Sequence, residues 1–317
     1  MCLPLISEIR KKKPDAHITW LCGKQVLPLL ERIEGIDELI GVDENKLLKG
    51  SLPVRFSEVF RVWTKLLFRR FDLQLYYYHS GLYKILSIPS LIPETRGFGR
   101  NKTGNLLPVP GRHHSLEYIR AFHAEEGPEN LQPVYPGFKN LPAKNTGTES
   151  KRIVLACGGA RNLLRNDDLR RWPLGHYASL GKMITGKGWE LTLTGSPGDA
   201  WVKEAFAGVE YTDFIGKQNL CEFIEFLSGA DLLITHDSGP LHLADLAGCP
   251  VLGLFGPTMP EEKKSLQEKS AYLWGGENLS CRPCYDGRDY GKCRSNDCLK
   301  TISAEEVWTK AQEMLAV

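Results

Sequence analysis

The sequence predicts an α/β protein built from two doubly wound, Rossmann-like parallel-sheet domains. Three observations carry this. The 317 residues correspond to two domains at roughly 150 residues each. Apolar segments alternate between helical and strand periodicity, as parallel strands joined by crossover helices require. A segment rich in Pro, Gly and Asn interrupts the pattern near the middle, after which the alternation restarts.

Taken in chain order, Leu5, Ile6 and Ile9 recur at helical spacing, and Pro14-Asp15 stops the pattern before the strand-like run His17 to Cys22. Gln25 to Ile33 predicts a helix, Leu39 to Val42 a strand, Val54 to Phe71 a long helix and Leu73 to Tyr78 another strand. On the long helix Phe56, Val59, Phe60, Trp63 and Leu67 share one face, with Glu58, Arg61, Lys65 and Arg69 opposite. Core packing explains that face, and contact with an anionic membrane surface is the alternative. His113-His114 caps or begins a helix over Leu116 to Ala124, with no chemistry assigned to it.

Between Pro128 and Ser150 periodicity fades, which places domains at residues 1–140 and 151–317 with a linker near 138–151. The second domain then reads as strand Ile153 to Cys157, helix Gly175 to Thr185, strand Glu190 to Thr194, helices Ala200 to Phe206 and Leu220 to Leu227, and strand Leu232 to Thr235. Helix Pro240 to Leu246 and strand Val251 to Phe255 follow. Ser303, with Glu306 three residues on, forms a capping box for a last helix running to about Met314.

Hydrophobic residues at 42% and charged residues at 25% are ordinary for a globular chain, which excludes disorder as the main state. A net charge of +2 offers no global attraction for nucleic acid, so any bound anion must be held by a local cluster. No apolar stretch approaches the roughly 18 residues of a membrane span. Met1 to Lys13 places its apolar part before its lysines, the reverse of a secretory signal. Of nine cysteines, Cys2, Cys22, Cys157, Cys221 and Cys249 stand singly in apolar surroundings, the usage of a reducing compartment. A cytoplasmic location is therefore expected.

Two segments point to an anion. Asp237-Ser238-Gly239-Pro240-Leu241-His242 follows an apolar strand and precedes a helix. Pro240 suits the first helical position and Ser238 or Gly239 can cap, leaving backbone donors at the positive end of the helix dipole, where a phosphate binds. One strand later, Gly256-Pro257-Thr258 brings a glycine and a hydroxyl to the neighbouring carboxyl edge. At the start of the same domain, strand Ile153 to Cys157 runs into Gly158-Gly159-Ala160, then a loop with Arg161, Arg165, Arg170 and Arg171 before Trp172-Pro173. Glycines permit close backbone approach and guanidinium forks match diphosphate oxygens. A capped helix with an ordinary turn, and a solvated basic loop, are the structural alternatives. Neither GxGxxG nor GxxxxGK[ST] is present, which disfavours a nicotinamide oxidoreductase or a P-loop enzyme.

Together these segments resemble glycosyltransferase family 9, the bacterial heptosyltransferases of lipopolysaccharide assembly. The likeness is strongest over Asp237 to Thr258, DSGPLHLADLAGCPVLGLFGPT, and extends to Arg171-Trp172-Pro173, Gly195-Ser196-Pro197 and Phe214-Ile215-Gly216, thinning through the first domain. The resemblance implies a GT-B fold, two Rossmann-like domains facing a cleft. It implies an inverting transfer of heptose from ADP-heptose to a lipid-linked inner-core oligosaccharide at the cytoplasmic face of the inner membrane, with no cofactor required. It places the donor diphosphate near Gly158, Gly159, Arg171, Asp237, Ser238, Gly239, Pro240, His242, Gly256 and Thr258. Asp199 falls where the family often has an acidic residue near the adenosine ribose; as a residue, it equally suits a helix cap.

The implied chemistry needs a carboxylate base for the acceptor hydroxyl, and helix-end donors and arginines for the departing diphosphate. The family's base lies in a Gly-Asp loop after the first strand. This sequence begins at Met1-Cys2-Leu3-Pro4, which resembles the helix after that loop, so no residue here inherits the base role. The base is expected upstream of Met1, and the chain as written is expected to lack transfer that an extended chain would have. A nucleotide-sugar-binding protein without catalysis is the alternative class. Finally, Cys281, Cys284, Cys293 and Cys298 form a C-x2-C-x8-C-x4-C loop, in which four thiolates could hold a structural zinc, pair as disulfides or remain free.

Overall fold

The computed structural model describes residues 1–77, 83, 85–98, 105–124, 131–143, 150–160, 167–285, 290–291 and 293–316. The chain divides into two units, Met1–Lys139 and Asn140–Val317. Among the described residues no helix is long and apolar enough to cross a membrane.

In the first unit, α1 (Pro4–Lys12) starts at a proline its first turn tolerates and ends on Arg10, Lys11 and Lys12, cations that suit the negative end of its dipole. Strand β1 (Thr19–Gly23) continues through a 3-10 turn and the short α2 (Leu27–Leu30), then pairs in parallel with β2 (Glu38–Val42). Helix α3 (Leu52–Leu66) leads to β3 (Leu73–Tyr76), which lies parallel to β4 (Glu94–Phe98), itself parallel to the two-residue β5 (Asn105–Leu106). The predicted end of the β3 strand, Tyr78, lies outside the described residues. His113 caps α4 (His114–His123), its Nδ1 accepting from the Ser115 amide at 3.2 Å.

The strands of this unit form two parallel ribbons, β1-β2 and β3-β4-β5. Each packs on its own apolar cluster. Ile40, Val42, Leu47, Val59, Val62 and Leu66 gather around the first, while Leu5, Ile119 and Phe122 gather around Leu73 and Leu75 of the second.

The face predicted for α3 also needs correction. Val59, Val62 and Leu66 are buried, whereas Phe56, Phe60 and Leu67 are exposed. The buried stripe includes Glu58, which the sequence placed on the polar side. Its carboxylate accepts from the Asp43 amide at 2.7 Å and from Arg61 Nε at 2.9 Å, so the pair enters the core neutralised and hydrogen-bonded. Hydropathy alone cannot anticipate that choice, because an ion pair with its bonds satisfied can occupy a half-buried face.

The second unit holds one six-stranded sheet in the order β11-β10-β9-β6-β7-β8, with every adjacent pair parallel. Its strands are β6 (Arg152–Ala156), β7 (Glu190–Gly195), β8 (Thr212–Ile215), β9 (Leu232–His236), β10 (Val251–Phe255) and β11 (Ala271–Trp274). Counted from β6, this is the 3-2-1-4-5-6 order of a Rossmann sheet, whose direction of winding reverses between β6 and β9. Strands β9 and β10 are buried along their whole length, as central parallel strands are when helices cover both faces.

The crossovers are α5 (Leu174–Gly186), a 3-10 helix Pro197–Phe206, α6 (Leu220–Ser228), α7 (Gly239–Ala247) and the short α8 (Pro260–Lys263). After β11 come the short α9 (Asp297–Lys300) and α10 (Ala304–Leu315), whose first turn is capped by the Ser303 hydroxyl accepting from the Glu306 amide at 3.1 Å. Trp172, buried at the start of α5, donates its indole N–H to the Ile302 carbonyl at 2.9 Å and so ties the last helix to the sheet. Burying a side chain of this size contributes about 1.5–3 kcal/mol or more.

Candidate functional site

The winding reversal puts the loops after β6 and β9 side by side at the carboxyl edge of the second sheet, where ligands of such sheets bind. Thr235 on β9 stitches the two. Its hydroxyl donates to the Ala156 carbonyl at 3.0 Å and lies 3.2 Å from Ser238 Oγ.

The loop after β6 is held by Asp199. Its Oδ1 accepts from the Gly159 amide at 2.9 Å, and its Oδ2 accepts from the Ser196 amide at 2.8 Å and the Ser196 hydroxyl at 2.6 Å. Asp199 is thus both the capping-box partner of Ser196 and the clasp of the glycine turn, and it is buried. Gly158 has to be glycine, since a Cβ there would lie 2.4 Å from the Asp199 carboxyl carbon. Gly159 follows at a φ of +77°, a conformation that side chains resist. Arg171 closes the turn from the other side, donating from Nε and Nη2 to the Gly159 carbonyl at 3.0 and 2.8 Å, with its guanidinium 5.5 Å from the Trp201 ring centre. Arg161 and Arg165 lie outside the described residues.

Across the reversal, Ser238 takes the N-cap position of α7 in an extended conformation, but its side chain makes no capping bond. Its hydroxyl is turned to Thr235 instead, so the Gly239 amide carries no side-chain cap, and Pro240, which has no N–H, leaves no donor unmet at its position. The result is an open positive helix end beside two arginines.

Asp237 is the charge centre of the site. It is 2% exposed, and Arg170 Nη1 at 3.3 Å and Lys263 Nζ at 3.7 Å converge on its Oδ2. Burial pushes this carboxyl up, yet the two cations, followed by His242, outweigh burial and hold it below its ordinary value. The same burial lowers Lys263, with Asp237 offsetting part of the effect. Arg170 is shared with Asp167 at 2.6 Å. Tyr285 lies against the cluster, with Lys263 Nζ 4.6 Å from its ring centre, and Tyr290 packs on Tyr285 at 4.8 Å. Thr258 hydrogen-bonds Asp237 and the Tyr290 hydroxyl interacts with Arg170, so the cluster extends from the carboxylate to both side chains.

Gly158, Gly159, Arg171 and Asp199 therefore form one knit, and Asp237, His242 and Thr258 another, with Ser238 between them. Gly256 stands apart from these contacts. A Cβ on it would lie 2.7 Å from both Cys298 Sγ and Leu299 Cγ, so α9 demands that glycine. The sequence reading did not assign Lys263, Asp167, Tyr285 or Tyr290. Lys263 sits in the run Glu261-Glu262-Lys263-Lys264, which looks like a solvated charge cluster until the fold buries it.

All four clustered cysteines are free: Cys281 is exposed, Cys284 and Cys293 are intermediate, and Cys298 is buried. Burial first, then the neighbouring thiols, raises Cys284 and pushes Cys298 up to about 11. Among the described residues, no three or more His, Cys, Asp or Glu side chains are arranged around a point that could hold a metal ion.

Beneath the site, His236 is fully buried, with Nδ1 3.1 Å from the Tyr177 hydroxyl. Burial is the main cause that lowers it from 6.5 to about 4, with Arg171 and Arg170 adding to the shift and Asp237 opposing it. The folded protein then binds fewer protons than the unfolded chain between these values. The stability is complete above pH 6.5 and is lost as pH falls toward 4. The loss expected from this group is about 3 kcal/mol. Urea midpoints measured across that window should show it, and His236→Asn should flatten the slope; an unchanged slope refutes the assignment.

Comparison with known proteins gives the following. The sequence model of glycosyltransferase family 9 (heptosyltransferase) matches residues 116–293. Lipooligosaccharide heptosyltransferase 2 of Haemophilus influenzae is 32% identical over 156 residues, 46% of this chain and 44% of that protein. Lipopolysaccharide heptosyltransferase 2 of Escherichia coli K12 is 27% identical over 301 residues, 86% of this chain and 83% of that protein. Among solved structures, the family 9 glycosyl transferase from Veillonella parvula superposes with a TM-score of 0.77 at 21% identity, over 99% of this chain and 92% of that one. The E. coli heptosyltransferase WaaC with ADP superposes with a TM-score of 0.71 at 17% identity, over 99% and 95%. At these identities the structural likeness speaks for the fold, which is of the GT-B class.

Proposed function

The chain belongs to glycosyltransferase family 9, and from that premise we propose that it transfers a heptose from ADP-heptose to the inner core of a lipid-linked lipopolysaccharide precursor. The carrying observation is the open start of α7 beside Arg170, Arg171 and Lys263 at the winding reversal of the second sheet. A nucleoside diphosphate sugar needs that combination. As the anomeric bond breaks, charge accumulates on the leaving diphosphate, and preorganised amides and guanidiniums stabilise it without reorganising. Arg171 holds the glycine turn so that backbone can approach the diphosphate, and Asp237 keeps Lys263 and Arg170 charged and in place inside a buried site. The names of the relatives support this choice of sugar and acceptor. They include lipopolysaccharide heptosyltransferases, and one structural neighbour holds ADP-2-deoxy-2-fluoro heptose.

Calorimetry with ADP should detect uptake by the folded protein, and NAD should give none. A form that carries an upstream Gly-Asp loop, incubated with ADP-heptose and a heptose-deficient core lipid, should release ADP. A folded sample that ignores ADP refutes the site; uptake of ADP by that form without release from ADP-heptose refutes the transfer.

A further inference from the structure

The cysteine-bearing segment after β11 is tied by its backbone to the edge of the sheet that carries the donor site. The Cys284 and Tyr285 amides both donate to the Pro257 carbonyl, at 3.0 and 3.1 Å. Pro257 is one residue before Thr258, whose side chain hydrogen-bonds Asp237. Arg282 donates from Nη1 to the Trp274 and Gly275 carbonyls at 2.9 and 3.1 Å, and its guanidinium lies 4.0 Å from the Trp274 ring centre. The segment is thus anchored on the ends of both β10 and β11, and a ring carried at position 285 is held beside the charge cluster.

That ring meets both cations of the cluster. Lys263 Nζ is 4.6 Å and the Arg170 guanidinium carbon 5.8 Å from its centre. Both fall inside the roughly 6 Å within which a cation is drawn to the negative face of an aromatic ring. Tyr290 packs on Tyr285 with ring centres 4.8 Å apart, and its hydroxyl interacts with Arg170.

The cations need such support because carboxylate is scarce around them. Asp237 Oδ2 is shared between Arg170 and Lys263, and Arg170 has Asp167 besides. Lys263 is 5% exposed, and burial is the main cause that lowers its proton affinity; Arg170 adds to the effect, while Asp237 and Glu262 oppose it. A second carboxylate against Lys263 would hold the ammonium but repel a diphosphate. An aromatic face stabilises a desolvated cation without adding negative charge, so the attraction for phosphate oxygens survives.

We propose that Tyr285 is a positioning residue for donor binding: its ring holds the Lys263 ammonium and the Arg170 guanidinium in place for the donor diphosphate. The cysteine-bearing segment is thereby part of the donor site. The inference rests on the reading that this site takes a nucleoside diphosphate.

Calorimetric titration of the full chain with ADP is the test. Tyr285→Leu, which removes the aromatic face and keeps an apolar side chain, should weaken ADP binding about tenfold. Tyr285→Phe should bind ADP as the wild type does. Two further readouts separate positioning from mere packing. In the wild type, ADP affinity should fall on the alkaline side as Lys263 loses its proton. Without the aromatic face the charged form is less favoured, so in Tyr285→Leu that fall should come at lower pH, while Tyr285→Phe keeps the wild-type profile. Asp237, Arg170 and Glu262, the charged groups that act on Lys263, are unaltered in both variants. In a Lys263→Met background, Tyr285→Leu should lose most of its effect. Should Tyr285→Leu be too unstable to titrate, Tyr285→Met removes the ring with a more adaptable side chain and carries the same expectations. A wild-type protein that ignores ADP overturns the donor-site reading and this inference together. Uptake by the wild type with equal affinity in the ring-less variant, or with an unmoved alkaline fall, overturns this inference alone.

Discussion

Asp237→Ala is expected to lower the unfolding free energy by about 3–5 kcal/mol, the usual consequence of removing one partner from a buried ion cluster. The residue is 2% exposed and neutralises Lys263, itself 5% exposed, while Arg170 retains Asp167. Lys263 would be left as a buried cation without the carboxylate that acts on it most strongly, and its lowered proton affinity would fall further. Asp237→Asn keeps the shape and removes only the charge, so the difference between the two variants separates electrostatics from packing. A double-mutant cycle with Lys263→Met checks the mechanism: in the Asp237→Asn background, the lysine substitution should recover part of the loss. Urea titrations measure all four proteins. If Asp237→Asn unfolds at the wild-type midpoint, the buried cluster is not what holds this edge of the sheet together. ADP affinity should fall in the same variants, because Arg170 and Lys263 lose the group that positions them.

Gly158→Ala is the second large effect. The new methyl group would stand 2.4 Å from the Asp199 carboxyl carbon, closer than nonbonded carbons approach. Asp199 cannot move away cheaply, since its oxygens hold the Gly159 amide, the Ser196 amide and the Ser196 hydroxyl. One of those bonds must break, or the turn must shift. Overpacking of this kind costs about 1–3 kcal/mol. Displacing the Gly158-Gly159 backbone also moves the surface offered to a diphosphate, so ADP affinity should drop about tenfold, equivalent to 1.4 kcal/mol. Gly186→Ala is the control, as a Cβ there meets nothing within 4 Å and the residue ends α5, away from the site. Equal ADP affinity in the Gly158 and Gly186 variants would show that the loop after β6 does not touch the nucleotide.

Much of the site was legible before any coordinates. Pro240 after Ser238-Gly239 marks a helix start after a strand, and α7 begins at Gly239. Ser303 and Glu306 mark the last helix in the same way, because capping is a bond between residues three apart and needs no distant partner. Gly158 was singled out for close backbone approach, though what approaches it inside the protein is Asp199, 41 residues later. Strands β8 and β11 at the two sheet edges escaped notice; neither is buried along its length as β9 and β10 are.

By itself, then, the sequence determined the alternating α/β order, the starts of the capped helices, and the pairing of a glycine turn with a helix terminus that carries the family likeness, because those features are written in neighbouring residues. Only the tertiary structure decided which side of α3 is buried, that Asp199 clasps Gly159, and that Lys263 leaves an apparent surface charge run to join Arg170 on Asp237. Those outcomes depend on desolvation balanced against charge pairing between residues far apart in the chain. That balance exists only once the sheet has formed and brought the carboxyl ends of β6, β9 and β10 together.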